Sequence, residues 1–92
     1  MNLIDLITSI NDVDEDSIIF MENINDYKSE IILSYPEDGD NGIKIERGKK
    51  FNYLIEIFLA KEFIEDWINS LNYTPSKDEI AKRLYEYGIN DA

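Results

Sequence analysis

A chain of 92 residues that contains no cysteine has to hold its fold together with one apolar core. Its hydrophobic fraction of 43% is ordinary for a globular domain and is too high for a disordered acidic tail. We therefore expect a single domain over residues 1–92. The lack of cysteine also excludes a disulfide framework and a thiolate metal site.

Apolar periodicity divides the first half of the chain into a helix and several strands. A helical stripe comes first, formed by Leu3, Leu6, Ile7 and Ile10. This stripe predicts a short amphipathic helix that ends near Asn11. Two runs rich in β-branched residues, 17–21 and 30–35, are too short for helices and predict strands. Turn-forming residues fill 36–42, and the alternation over 43–46 predicts a short edge strand.

Residues 51–71 allow two interpretations, one long helix or a strand followed by a helix. One helix would place Glu56 in the middle of an apolar face, and a buried unpaired carboxylate is costly. A strand over Phe51–Phe58 has the β-forming composition and the two apolar sides of a central strand. We therefore expect a strand and then a helix, with the aromatic side chains of this region in the core: Phe51, Tyr53, Phe58, Phe63 and Trp67. The apolar face of that helix holds Ala60, Phe63, Ile64, Trp67, Ile68 and Leu71.

A second C-terminal helix is predicted from its capping residues. Ser76 and Glu79 have the spacing of a capping box, in which each side chain accepts a hydrogen bond from the backbone amide of the other residue. Gly88 is expected to end the helix. Its predicted buried stripe is Ile80, Leu84 and Tyr87. The order of elements predicts an α+β fold, a small, mostly antiparallel sheet of three to four strands with an N-terminal helix and two C-terminal helices packed on it.

The acidic residues are concentrated in one third of the chain. The formal net charge is −11, and residues 11–42 carry −9 of it. Such a surface repels nucleic acid and anionic membranes and attracts basic proteins. We expect the partner-binding residues to lie in two acidic connections, formed by Asp12, Asp14, Glu15 and Asp16 and by Glu37, Asp38 and Asp40. The simpler alternative is that these residues serve only solubility, and binding would then fall to the helix face of Glu62, Glu65 and Asp66.

The chain has little equipment for catalysis or metal binding. It contains no histidine, no nucleophile motif and no glycine-rich phosphate loop, so we expect neither enzymatic activity nor a cofactor. Asp12–Asp16 has the spacing that opens a calcium loop. Ser17 and Asn23 stand where an EF-hand requires glycine and glutamate, so we expect no metal site.

Two further features have both a plain and a functional interpretation. The basic cluster Lys44, Arg47, Lys49 and Lys50 is interpreted as a solvated turn or as charge balance, because the overall charge opposes binding to nucleic acid. Glu56 fits an exposed residue, an ion-pair member or a partner contact. No apolar stretch is long enough to span a membrane and the N-terminus lacks a basic signal region, so we expect a cytoplasmic protein.

The C-terminal half resembles small bacterial immunity-type proteins. Its run FNYLIEIFLAKEFIEDW, residues 51–67, is similar to their FLEVFIAKEFLEDW run. Pro75-Ser76 stands at their helix-capping position, and residues 85–92 are similar to their closing YYAENDA-like segment. Members of this group include immunity proteins of contact-dependent growth inhibition systems, which neutralise the toxic C-terminal domain of a secreted effector.

Charge and resemblance together give a functional hypothesis. The resemblance implies a cytoplasmic immunity protein, a monomer or weak dimer, whose partner is a cognate toxin domain. The acidic surface favours a basic toxin such as a nuclease, and the resemblance suggests an RNase that acts on tRNA. The alternative is an acidic nucleic-acid mimic of phage type that inhibits a host DNA-binding defence protein.

Overall fold

An antiparallel sheet forms the centre of the computed structural model, which describes residues 1–36 and 42–91. Helix α1 (Leu3–Ser9) leads through a 3₁₀ turn (Ile10–Asp12) to strands β1 (Ile18–Met21), β2 (Ile31–Ser34), β3 (Ile43–Glu46) and β4 (Lys49–Glu56). Helices α2 (Ile57–Asn69) and α3 (Lys77–Asp91) follow. Within the described residues the strand order is β2-β1-β4-β3, so β4 is central and β3 is an edge strand. The expected α+β fold class is confirmed.

The two faces of the sheet carry two apolar clusters, because side chains alternate along each strand. The larger cluster joins the sheet to the helices and contains Leu3, Leu6, Ile10, Ile19, Met21, Ile31, Leu54, Ile55, Ile57, Ala60, Ala81 and Leu84. The smaller cluster consists of Ile18, Phe20 and Phe51, with Ile32 and Tyr53 packed against it. The Phe20 and Tyr53 rings meet edge to face, with centroids 6.2 Å apart. The predicted stripe of α1 supplies three residues of the larger cluster.

A β-bulge in β4 changes which side chains reach the helices. Ile19 of β1 pairs with Ile55, and the next residue, Phe20, pairs with Tyr53, which leaves Leu54 as the extra residue. Leu54 and Ile55 are therefore both buried in the helix-side cluster. The bulge explains why two consecutive residues of β4 are apolar and face the same side of the sheet.

The third helix passes over this bulge, and Gly88 of α3 lies against Leu54. A Cβ on Gly88 would lie 2.9 Å from Leu54 Cδ1 and 3.3 Å from the Leu54 carbonyl oxygen. The helix continues to Asp91, so the prediction that Gly88 ends it is wrong. Its glycine serves close packing between helix and strand. In the buried stripe, Ile80 and Leu84 are confirmed, whereas Tyr87 is only partly buried.

Capping boxes start the first and last helices. The Glu79 amide donates to Ser76 Oγ at 3.1 Å, and the Ser76 amide donates to Glu79 Oε1 at 3.3 Å, which confirms the predicted cap of α3. An equivalent box joins Asn2 and Asp5 at the start of α1. Each box satisfies amides that have no partner within their own helix.

The β3–β4 hairpin uses part of the basic cluster for charge balance. Its turn residues Arg47 and Gly48 have φ values of 51° and 77°, the left-handed conformation of a tight two-residue hairpin. Arg47 Nη2 and Lys49 Nζ lie 2.7 and 3.0 Å from the two carboxylate oxygens of Glu30. The hydrogen bond from Lys49 is the main cause of a lowered pKa for the Glu30 carboxyl.

The second helix follows β4 without an intervening loop. The predicted order of strand then helix is confirmed, but the strand ends at Glu56 and the helix begins at Ile57. Phe58 therefore lies in the first turn of α2 and is 44% exposed, so its predicted place in the core is wrong. Through the whole of α2, which the structure describes without a gap, the fully buried residues are Ile57 and Ala60 alone. Its other apolar side chains, including Phe63 and Trp67, remain at least partly accessible.

Candidate functional site

The acidic loop, which we define as residues 13–17, is held in a fixed turn. Asp14 Oδ1 accepts a hydrogen bond from the Asp16 amide at 2.9 Å. The Ser17 hydroxyl and amide donate to the Asp14 carbonyl oxygen at 2.6 and 3.1 Å. Tyr35, just after β2, donates its hydroxyl to Asp14 Oδ2 at 2.9 Å. The loop therefore presents its carboxylates from a defined backbone.

These hydrogen bonds favour the charged form of Asp14. Its pKa is lowered, first by the hydrogen bond from the Asp16 amide and then by that from the Tyr35 hydroxyl. The Tyr35 pKa is raised by the same hydrogen bond to Asp14. Asp14, Glu15 and Asp16 all have exposed side chains. The loop is thus an accessible and permanently negative part of the surface at neutral pH.

Helix α2 is fastened to the acidic loop at two points. Lys61 Nζ donates to the Val13 carbonyl oxygen at 2.8 Å and lies 3.9 Å from Glu15 Oε1. The Ile57 amide donates to the Ser17 carbonyl oxygen at 2.9 Å. The Lys61 side chain is 20% exposed, so its hydrogen bond to Val13 is shielded from water. The acidic loop and α2 are consequently held side by side.

An open groove of about 740 Å³, which we call the acidic groove, lies between the acidic loop and α2. Its apolar lining residues are Ile10, Phe58, Ile64 and Ile68. Its charged lining residues are Glu15, Lys61, Glu62 and Glu65, and Asn11 and Asn69 complete the wall. Three carboxylates and one lysine, which is already bound to the Val13 carbonyl oxygen, therefore give the groove a net negative charge beside its apolar lining residues.

The predicted site residues are distributed unevenly around this groove. Asp12 ends the 3₁₀ turn, and Asp14 and Asp16 flank Glu15 in the loop. Of these four predicted residues, Glu15 lines the groove. The other predicted connection, with Glu37, Asp38 and Asp40, lies outside the described residues. Glu62 and Glu65, expected on an exposed helix face, are exposed and line the groove, whereas Asp66 does not line it.

The apolar half of the site, namely Phe58, Ile64 and Ile68, was not predicted from the sequence. Phe58 was assigned to the strand, and the two isoleucines were assigned to a covered helix face. A helix advances by about 100° per residue, so Phe58 shares a face with Glu62 and Glu65 once the helix begins at Ile57. That shared face was the available signal, and it depended on the position of the helix start.

A second concavity, of about 420 Å³, lies on the other side of α2. The Phe63 and Tyr87 rings stack there with centroids 4.3 Å apart. The Arg83 guanidinium lies 5.6 Å from the centre of the Trp67 ring, at the distance of a cation–π contact. These aromatic residues already have partners within the chain, so this surface is less available to another protein than the acidic groove.

Within residues 1–36 and 42–91, no group of three or more Asp, Glu, His or Cys side chains is arranged to hold a metal ion. No helix in the same part of the chain combines the length and the apolar character needed to cross a bilayer. Protein-family models, curated proteins and solved structures were compared with the chain, and none of them matches it.

Proposed function

We propose that this protein is an immunity protein, a cytoplasmic inhibitor that binds a basic toxin domain in a stoichiometric complex. The observation that carries the proposal is the acidic groove, which is lined by the exposed carboxylates of Glu15, Glu62 and Glu65 and by the exposed apolar side chain of Phe58. The resemblance of residues 51–67 to immunity-type proteins supports the same class. By that resemblance, the toxin is a nuclease that cleaves tRNA.

Charge and apolar surface contribute differently to binding. A nuclease carries a cationic groove for phosphates, so an acidic inhibitor gains fast association and suppresses wrong partners. Affinity comes mainly from a few buried apolar or aromatic anchors at the centre of an interface. The acidic groove offers both, since Phe58 lies beside Glu62 and Glu65.

Under this proposal the gene directly upstream encodes the toxin domain, and the test is co-expression of the two proteins. We expect the protein to restore growth to cells that produce the toxin, and to form a one-to-one complex in size-exclusion chromatography with light scattering. Purified protein should also stop cleavage of tRNA by the purified toxin domain. An unrelated immunity protein of similar charge serves as the control. It should not protect the cells, whereas it would protect them equally well if charge alone were sufficient.

Two results would contradict the proposal. One is toxicity and tRNA cleavage that continue in the presence of excess protein. The other is recovery of a host DNA-binding defence protein as the stoichiometric partner in a pull-down analysed by mass spectrometry, which would identify a nucleic-acid mimic instead.

A further inference from the structure

We propose that the acidic groove is the docking surface of this protein and that its occupant is a basic amphipathic helix of a partner protein. The inference rests on the proposed function for the partner's role as a toxin, and it adds the face and the chemistry of recognition. The occupant would place apolar side chains against Phe58, Ile64 and Ile68. Its lysine or arginine residues would face Glu15, Glu62 and Glu65.

Helix α2 is incompletely buried. A helix in a two-layer fold normally buries its apolar face against the neighbouring layer. Here Ile57 and Ala60 do so, but Phe58 is 44% exposed and Ile64 and Ile68 are only half-buried. An exposed apolar surface rimmed by polar residues is typical of interaction sites. The exposed side is the one that faces the groove.

The charge of the groove selects the occupant. The groove is lined by Glu15, Glu62 and Glu65, and its cation, Lys61, is bound to the Val13 carbonyl oxygen. A second copy of this chain would bring a net charge of −11 against another −11. Like charges placed together across an interface are strongly unfavourable. A partner segment with lysine or arginine beside its apolar residues relieves that repulsion.

The groove has a suitable size, and hydrogen bonds hold its two walls in place. The volume of about 740 Å³ falls in the range of concave binding sites, roughly 300–1,000 Å³, so it admits several side chains. Both walls are fixed, because Lys61 and Ile57 bind the backbone of the acidic loop. The groove runs beside α2, whose 13 residues span about 20 Å. A helix laid along it follows a common mode of peptide recognition.

The experiment uses two probes with the full chain. The first is a peptide of about 14 residues, about 21 Å long when helical, with leucine on one face and lysine on the other. Two control peptides replace lysine with glutamate or leucine with serine. The second probe is the toxin domain that is used to test the proposed function. Binding is mapped by amide chemical shifts and measured by titration calorimetry.

Matched variants separate the groove from its surroundings. Glu65→Lys reverses a charge that lines the groove, and Asp66→Lys makes the same change one residue later, outside it. Phe58→Ala removes the exposed anchor, and Ile45→Ala removes an exposed apolar side chain on β3. Circular dichroism checks that every variant is folded. We expect Glu65→Lys and Phe58→Ala each to weaken binding of the leucine–lysine peptide about tenfold, equivalent to about 1.4 kcal/mol. The two control variants should change it less than threefold.

The outcomes distinguish this inference from the proposed function. If the leucine–lysine peptide shifts the groove amides but the toxin domain does not bind, the docking surface stands and the immunity proposal fails. If the toxin domain binds while Glu65→Lys and Phe58→Ala leave both affinities unchanged, the immunity proposal stands and this docking surface is wrong. Three other results would also overturn the proposed docking surface. They are peptide-induced shifts that map to another face, equal effects of Glu65→Lys and Asp66→Lys, and a dimer that depends on Phe58.

Discussion

The contact between Gly88 and Leu54 sets how closely α3 approaches the sheet. Both residues are buried, and the Cβ position of Gly88 lies within 3.0 Å of two atoms of the Leu54 side chain. Alanine is a better helix former than glycine by about 1 kcal/mol. Helix propensity therefore favours alanine at this position, and tertiary packing favours glycine. A substitution measures which effect on stability is larger.

We expect packing to outweigh propensity. Gly88→Ala should lower the free energy of unfolding by about 1–2 kcal/mol, because the methyl group forces Leu54 and the bulge to move within a packed core. Urea denaturation measures the change. Lys82→Ala, on the exposed side of the same helix, is the matched control and should stay within about 0.5 kcal/mol of the parent. An increase in stability for Gly88→Ala would show that the contact with Leu54 is loose.

The hydrogen bond between Tyr35 and Asp14 predicts effects at both ends of the pH scale. Asp14 has a lowered folded pKa, so its contribution to stability is present above about pH 3.9, the unfolded pKa, and is lost as pH falls through the folded pKa. Tyr35 has a raised folded pKa, so its contribution is present below about pH 10 and is lost as pH rises through the folded value.

Titration of single variants tests this coupling. Tyr35→Phe should raise the pKa of Asp14 toward its ordinary value, as followed by carboxyl carbon chemical shifts. Asp14→Asn should lower the pKa of Tyr35, as followed by phenolate absorbance. Tyr73→Phe removes a tyrosine that bonds Glu79 instead, so it should leave Asp14 unchanged. An Asp14 pKa that does not respond to Tyr35→Phe would mean that the two side chains are not in contact in solution.

At the scale of the elements, the cap of α3 is the most direct stability test. Ser76→Ala removes the acceptor for the Glu79 amide and should lower the free energy of unfolding by about 0.5–2 kcal/mol. Thr74→Ala changes an exposed residue two positions earlier and should have little effect. Thermal denaturation followed by circular dichroism compares the two variants. Equal stability of Ser76→Ala and the parent would place the start of the helix elsewhere.

The sequence was sufficient for the elements whose signals are local. The stripe of α1, the strand runs and the Ser76–Glu79 box each depend on residues within one or two turns, and all of them are found in the structure. Gly88 was assigned wrongly because its role depends on Leu54, a residue 34 positions earlier that a bulge redirects toward α3. No local pattern records that contact.

In the candidate site, the charged residues could be predicted from the sequence, whereas the exposure of the apolar residues could not. Charge identified Glu15 and its neighbours, because exposed acidic loops are visible in a sequence. Phe58 was missed because an aromatic residue beside a strand is normally buried, and its exposure follows from the single position at which β4 becomes α2. Half-burial of Ile64 and Ile68 depends in turn on how little of α2 the other elements cover, which is a property of the assembled fold.

For the whole molecule, the net charge of −11 makes folding sensitive to ionic strength. Repulsion among the carboxylates destabilises the compact state, and salt screens it. Raising sodium chloride from about 0.01 M to about 1 M shortens the screening length from about 30 Å to about 3 Å. We therefore expect the melting temperature to rise by several degrees, as measured by differential scanning calorimetry.

A variant with fewer charges provides the control for this prediction. Replacing Asp12 and Asp16 with asparagine removes two exposed charges and should reduce the dependence of the melting temperature on salt. A melting temperature that falls as salt is added would give the opposite conclusion. Ion pairs such as that between Glu30 and Lys49 would then contribute more to folding than the overall repulsion removes.

The direct passage from β4 into α2 has a consequence for the changes in length that this chain can accept. The sheet fixes the backbone direction at Glu56, and the amide of Ile57 is bound to the Ser17 carbonyl oxygen, so the rotational phase of α2 is set at its first residue. Inserting or deleting one residue at this junction would turn every later side chain by about 100°. Phe58 and Glu62 would leave the groove together. The length of this junction should therefore tolerate change less well than the identity of the side chains that line the groove.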